Sequence, residues 1–142
     1  MDRLKDGLGF LLADVSRLAR RAFEQRIEGS SLTHAQARAL VYLSRSEGLR
    51  QVELAELLDV QPITLTRLVD QLADTGLVER RPDPADRRAH QLFLTAAARA
   101  HLMAIEEVAL SIRTDALRGI DAHQAAILLA VLRKMRDNLA RR

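Results

Sequence analysis

The chain has 142 residues, 48% of them hydrophobic, with 22 bases against 19 acids and no cysteine. That length and composition fit one globular domain, expected over 1–142, and exclude a disordered chain or a polybasic tail. Without cysteine there are no disulfides, thiolate metal sites or cysteine nucleophiles, and no apolar run approaches the ~20 residues of a membrane span.

Helix signals come first along the chain. From Leu4 to Ile27 apolar residues recur at three and four, with Leu8, Leu11, Leu12, Val15, Leu18, Phe23 and Ile27 on one stripe. Gly29-Ser30-Ser31 ends that helix. Thr33 opens a second, and Gln36 three residues on completes a capping box; it runs to about Arg45, before the break at Ser46-Glu47-Gly48. Gln51 to Leu58 reads as a short helix. Another begins near Pro62, whose missing amide has no partner in a first turn anyway, and stops at Gly76. Two extended runs follow, Leu77 to Arg81 and His90 to Leu94, joined by the turn-rich Pro82 to Arg88. They predict a hairpin, the only β signal in the chain. Thr95 is expected to cap a long helix from Ala96 to about Leu117. Asp121, with Gln124, opens the last one, whose stripe is Ile127, Leu128, Val131, Leu132, Met135 and Leu139.

The segment Gln51 to Asp70 meets the needs of two helices crossing steeply at a short turn. Leu54 and Leu58 are anchors, Ala55 allows close approach, Val60 sits in the turn, and Leu65, Leu68 and Leu72 face the core. Asp59 stands where glycine is usual, though aspartate tolerates turn conformations well. Gln61, Ile63, Thr64, Thr66, Arg67 and Gln71 are left facing outward. Such mixed amide, hydroxyl, apolar and guanidinium groups suit base edges in a major groove. The plainer alternative is an ordinary helical hairpin with a polar outer face.

The hairpin favours the first reading. Arg80, Arg81, Arg87 and Arg88 lie on or beside its tip, among Glu79, Asp83 and Asp86, and two prolines stiffen it. A rigid tip bearing arginine can enter the narrow, electronegative minor groove. Asp86 is placed to orient the Arg88 guanidinium by a charge-assisted hydrogen bond. All bases but Lys5 and Lys134 are arginine, whose planar fork suits phosphates and guanine; a GC-rich genome would give the same bias. The expected fold is mainly α with one β-hairpin wing, a winged helix-turn-helix.

With these elements in order, the chain resembles the MarR/SlyA family of bacterial transcription regulators. The resemblance is most specific over Gln51 to Thr95: Asp70-Gln71-Leu72 with Gly76-Leu77-Val78 and Arg80, then Asp86-Arg87-Arg88 with Leu94-Thr95. It implies a homodimer binding palindromic double-stranded DNA, most often as a repressor, under control of small, often aromatic, acids. It places Thr64, Thr66 and Arg67 at major-groove positions, Arg88 at the minor-groove arginine and Asp86 at its supporting acid. The family's peroxide-sensing branch needs a cysteine, and the chain has none. The resemblance and the element order together put a DNA-binding lobe at 32–98 and dimerisation helices at 1–31 and 99–142. Both end helices carry stripes that a second copy would cover.

Other constellations are weaker. His34, His90, His101 and His123 share no metal-binding spacing, so no metal is expected. Ser30, Ser31 and Ser111 have no general-base context and no glycine-rich phosphate loop exists, so neither enzyme activity nor a cofactor is expected. Arg17, His34, Arg38 and Tyr42 form a candidate effector pocket for an aromatic carboxylate, although interface or solvated roles also suit them. A rival function is a winged-helix protein-interaction module that reads no DNA. No cleavable signal stands out, and a cytoplasmic protein is expected.

Overall fold

The computed structural model describes residues 3, 6–27 and 30–141. Helix α1 spans Leu8–Arg26, closing with the Ile27 N–H on the Phe23 carbonyl at 2.9 Å. The expected start at Leu4 and the Gly29 of the expected stop lie outside the described residues. Only the end of α1 is covered within the chain: Phe23 and Ile27 are buried, whereas Leu8, Leu11, Leu12, Val15 and Leu18 are exposed.

Helix α2, His34–Arg45, begins with the expected capping box. Thr33 Oγ1 accepts the Gln36 N–H at 3.2 Å, and Gln36 Oε1 accepts the Thr33 N–H at 3.0 Å. After it the chain turns at Gly48, whose φ of 89° lies in the left-handed region. A two-residue strand β1 follows, Leu49–Arg50. This corrects the expectation of a hairpin alone. Two residues are too few to show alternation, and their partner lies far along the chain.

Helices α3, Gln51–Leu58, and α4, Pro62–Asp74, form the helix-turn-helix. Asp59 takes the left-handed conformation at φ 54°, and its N–H reaches back to α3 carbonyls. Gly76, at φ 76°, ends the descent from α4. Strands β2, Val78–Asp83, and β3, Asp86–Leu94, make the wing, and the sheet order is β1-β3-β2, all antiparallel.

The wing is longer and its turn tighter than expected. Pro82 and Asp83 belong to β2, and Asp86 to Arg88 belong to β3, leaving Pro84 and Ala85 as the connection. Proline is tolerated because β2 is an edge strand. Thr95 is a second correction. Its hydroxyl donates to the Gly76 carbonyl at 2.5 Å, fastening the end of the wing to the exit of α4, and helix α5 begins only at Ala98.

Helix α5 spans Ala98–Ala116, and α6 spans Ala122–Ala140 behind the expected Asp121–Gln124 capping box. The chain divides into two compact units, one ending at Ala109 and one beginning at Leu110. In the first, the fully buried side chains Leu40, Leu43, Leu54, Leu65, Val69, Leu72 and Leu92 come from α2, α3, α4 and β3. One core thus holds the helix pair against the sheet. In the second, Ile127, Leu128, Val131 and Leu139 on α6 are exposed.

Candidate nucleic-acid interface

Helix α4 has two unlike faces because its apolar residues recur at three and four. Leu65, Leu68, Val69 and Leu72 are buried, while Gln61, Ile63, Thr64, Thr66, Arg67 and Gln71 are exposed, as expected. Two of the outer residues have partners within the chain. Thr66 Oγ1 donates to the Pro62 carbonyl at 3.0 Å and accepts from Gln51 Nε2 at 3.4 Å. Gln71 Oε1 accepts from Gln36 Nε2 at 3.0 Å, which ties α4 to the start of α2. Ile63, Thr64 and Arg67 project from this braced helix.

The wing arginines divide into two groups. Arg80 donates from Nη2 to Asp70 Oδ1 at 2.5 Å and from Nε to Gln51 Oε1 at 2.8 Å. It joins α3, α4 and β2, and both of those donors are spent inside the protein. Arg81 lies over the Phe93 ring, 4.0 Å from its centroid, with Nε 3.1 Å from Glu79. Arg87 and Arg88 are exposed near the tip. Asp86 does not hold the Arg88 guanidinium: its Oδ1 accepts the Arg88 backbone N–H at 3.0 Å. The short loop places that amide, not the side chain, within reach of the carboxylate.

Four residues of this architecture were not among those expected in the site: Arg50, Gln51, Asp70 and Asp83. Asp83 is buried, and its Oδ2 accepts from Arg50 Nε at 2.7 Å. The Ala85 N–H above all, and then Arg50, hold its carboxyl below the ordinary value although burial pushes it upward. No local pattern announces a partner 33 residues away. For Asp70 and Arg80 a signal exists, since both stand in the family pattern.

Of the four residues of the expected effector pocket, Arg38 and Tyr42 contact each other, whereas Arg17 and His34 have their contacts elsewhere. Arg17 pairs with Asp14 at 3.5 Å, and His34 meets the Phe23 ring edge-on at 5.5 Å. Arg38 and Arg45 flank the Tyr42 ring at 5.8 and 5.7 Å. Burial, then Arg38 and Arg20, lower the His34 pKa against the opposing pull of Glu24. The unfolded chain therefore takes up this proton first as pH falls. The stability that neutral His34 contributes is complete above its unfolded pKa of about 6.5 and lost as pH falls through the folded value. Thermal unfolding followed from about pH 7 to 5 is expected to show a smaller decline in His34→Gln than in the parent chain.

Among the described residues no cluster of three His, Asp or Glu suits a metal, and no helix is long and apolar enough to cross a membrane. Residues 32–90 match the model of the MarR family. The chain is similar to the crystal structure of a probable transcriptional regulator from Pseudomonas aeruginosa, with 31% identity, TM-score 0.76, and coverage of 94% of this chain and 99% of that one. It is similar to a MarR-family transcriptional regulator from Silicibacter pomeroyi, with 27% identity, TM-score 0.85, and coverage of 98% and 94%. It is also similar to a mutant MarR from E. coli complexed with operator DNA, with 26% identity, TM-score 0.78, and coverage of 94% and 96%.

Proposed function

The chain belongs to the MarR family of transcriptional regulators, and from that premise we propose that it is a homodimeric, ligand-responsive repressor reading a palindromic operator. Helix α4 enters the major groove and the wing enters the adjacent minor groove. The observation that carries this reading is the pairing of two projecting surfaces on one core. Thr64 and Arg67 stand on the outer face of α4, and Arg87 and Arg88 stand on the wing beside it. The similar MarR from E. coli was crystallised with operator DNA, which supports the same use here.

The protein acts in the cytoplasm, where its DNA is, and without enzymatic activity or a cofactor. A small aromatic or acidic effector would meet Arg38, His34 and Tyr42 on α2, the helix that Gln36 links to Gln71 on α4.

The test is selection of bound fragments from genomic DNA, followed by titration over a salt series. Binding should weaken steeply, since each phosphate neutralised adds about −0.9 to the log–log slope and two lobes double the contacts. Arg67→Ala should cost about 1–3 kcal/mol and relax preference at one position per half-site. Arg88→Ala should weaken binding more evenly across sequences. An affinity indifferent to salt would instead favour a winged-helix module that binds protein.

A further inference from the structure

The outer part of the wing is a ribbon of two strands. Strand β1 pairs with β3 at Leu49–Leu92 and Arg50–Gln91, so from His90 outward β3 has only β2 beside it. A two-stranded hairpin is marginal in water on its own. One side of this ribbon borders a cleft of about 350 Å³, lined by Arg50, Gln51 and Val52 from one wall and Asp86, Arg88 and His90 from the other. That side therefore lacks the packing that would fix the ribbon's angle.

A buried charge supplies what packing does not. Asp83 is the one buried charged side chain among the described residues, at 6% exposure. One of its oxygens accepts the Ala85 N–H at 2.8 Å and so shapes the turn. The other accepts from Arg50 Nε at 2.7 Å, at the threshold of α3. Turn formation alone needs only the first bond. This charge-assisted bond joins the wing to the start of α3 and is lost if the ribbon swings away, so the ribbon has a preferred position, the one in which Asp83 meets Arg50.

We infer that Asp83 and Arg50 are a positioning pair that sets the angle of the wing and thereby delivers Arg88 to the minor groove. The inference rests on the DNA-reading function proposed above. Neither residue has to touch DNA for it to hold.

The test uses the operator selected with the full wild-type chain, plain and with diaminopurine replacing adenine in the flank under the wing. Diaminopurine adds an amino group to the minor groove and leaves the major-groove edge of the pair as it was. Wild-type binding should weaken about tenfold on the modified duplex, the size of one good groove contact. Asp83→Asn should bind the plain duplex about tenfold more weakly, as Arg88→Ala does, and be indifferent to diaminopurine. The double variant should be no weaker than either single one, because both remove the same contact. Arg67→Ala should remain additive with each. In the free protein, amide exchange at Ala85 and Asp86 should quicken in Asp83→Asn.

Arg50→Gln changes a half-exposed side chain and should reproduce the phenotype should Asp83→Asn fold poorly. A folded Asp83→Asn that keeps wild-type sensitivity to diaminopurine overturns the positioning role, even if its exchange quickens. A wild-type chain that binds no duplex overturns the DNA reading itself.

Discussion

Replacing both Leu11 and Val15 with aspartate is expected to give a folded chain that no longer self-associates and binds a palindromic duplex at least about 100-fold more weakly. Leu8, Leu11, Leu12, Val15 and Leu18 follow the helical period along α1, and each is at least 40% exposed. A stripe of that extent calls for a cover, and a second copy using the same patch is the simplest closed solution. Two lobes joined in this way bind two half-sites with the second at high effective concentration, and splitting them forfeits that gain. Within one chain these side chains face solvent, so the substitutions leave the core intact. Sedimentation equilibrium and operator titration on the same samples provide the check. A double variant that remains dimeric with full affinity would place the interface elsewhere.

Leu65→Ala is expected to destabilise the chain by about 2–5 kcal/mol, the usual cost of emptying a buried leucine site. Leu65 is 1% exposed, on the inner face of α4. A domain of ordinary stability holds only about 5–15 kcal/mol, so the loss is a large share of the total. Its neighbour but one, Ile63, is 66% exposed, and Ile63→Ala should change stability by no more than about 0.5 kcal/mol while weakening operator binding. Urea unfolding should show a lower midpoint for Leu65→Ala at an unchanged slope. Equal midpoints for the two variants would mean that the faces of α4 are assigned the wrong way round.

What was legible in the chain was what neighbouring residues decide among themselves. The Thr33–Gln36 and Asp121–Gln124 boxes, the left-handed Asp59 and the two faces of α4 each follow from residues within a turn or two, and the structure has them all. The features that escaped depend on distant partners. Strand β1 exists because β3 lies beside it, and Thr95 leaves its expected cap because the Gly76 carbonyl is within reach. The wing arginines show the same division at the site. Arg80 and Arg88 look alike as basic residues near a turn, yet Arg80 is bound to Asp70 and Gln51 and Arg88 projects. Composition and local spacing leave the two alike; the family pattern and the contacts made in the fold tell them apart.

The sheet order β1-β3-β2 carries a consequence for the route by which the lobe forms. The β2–β3 hairpin joins consecutive strands across two residues, and α3 packs on α4 across a short turn. These closures are local and fast, with little chain entropy to overcome. Strand β1 differs, because Leu49 must find Leu92 across the whole helix-turn-helix. Its two residues cannot hold that pairing until the helices between them have docked. The shortest strand is thus the one whose place depends most on the rest of the lobe.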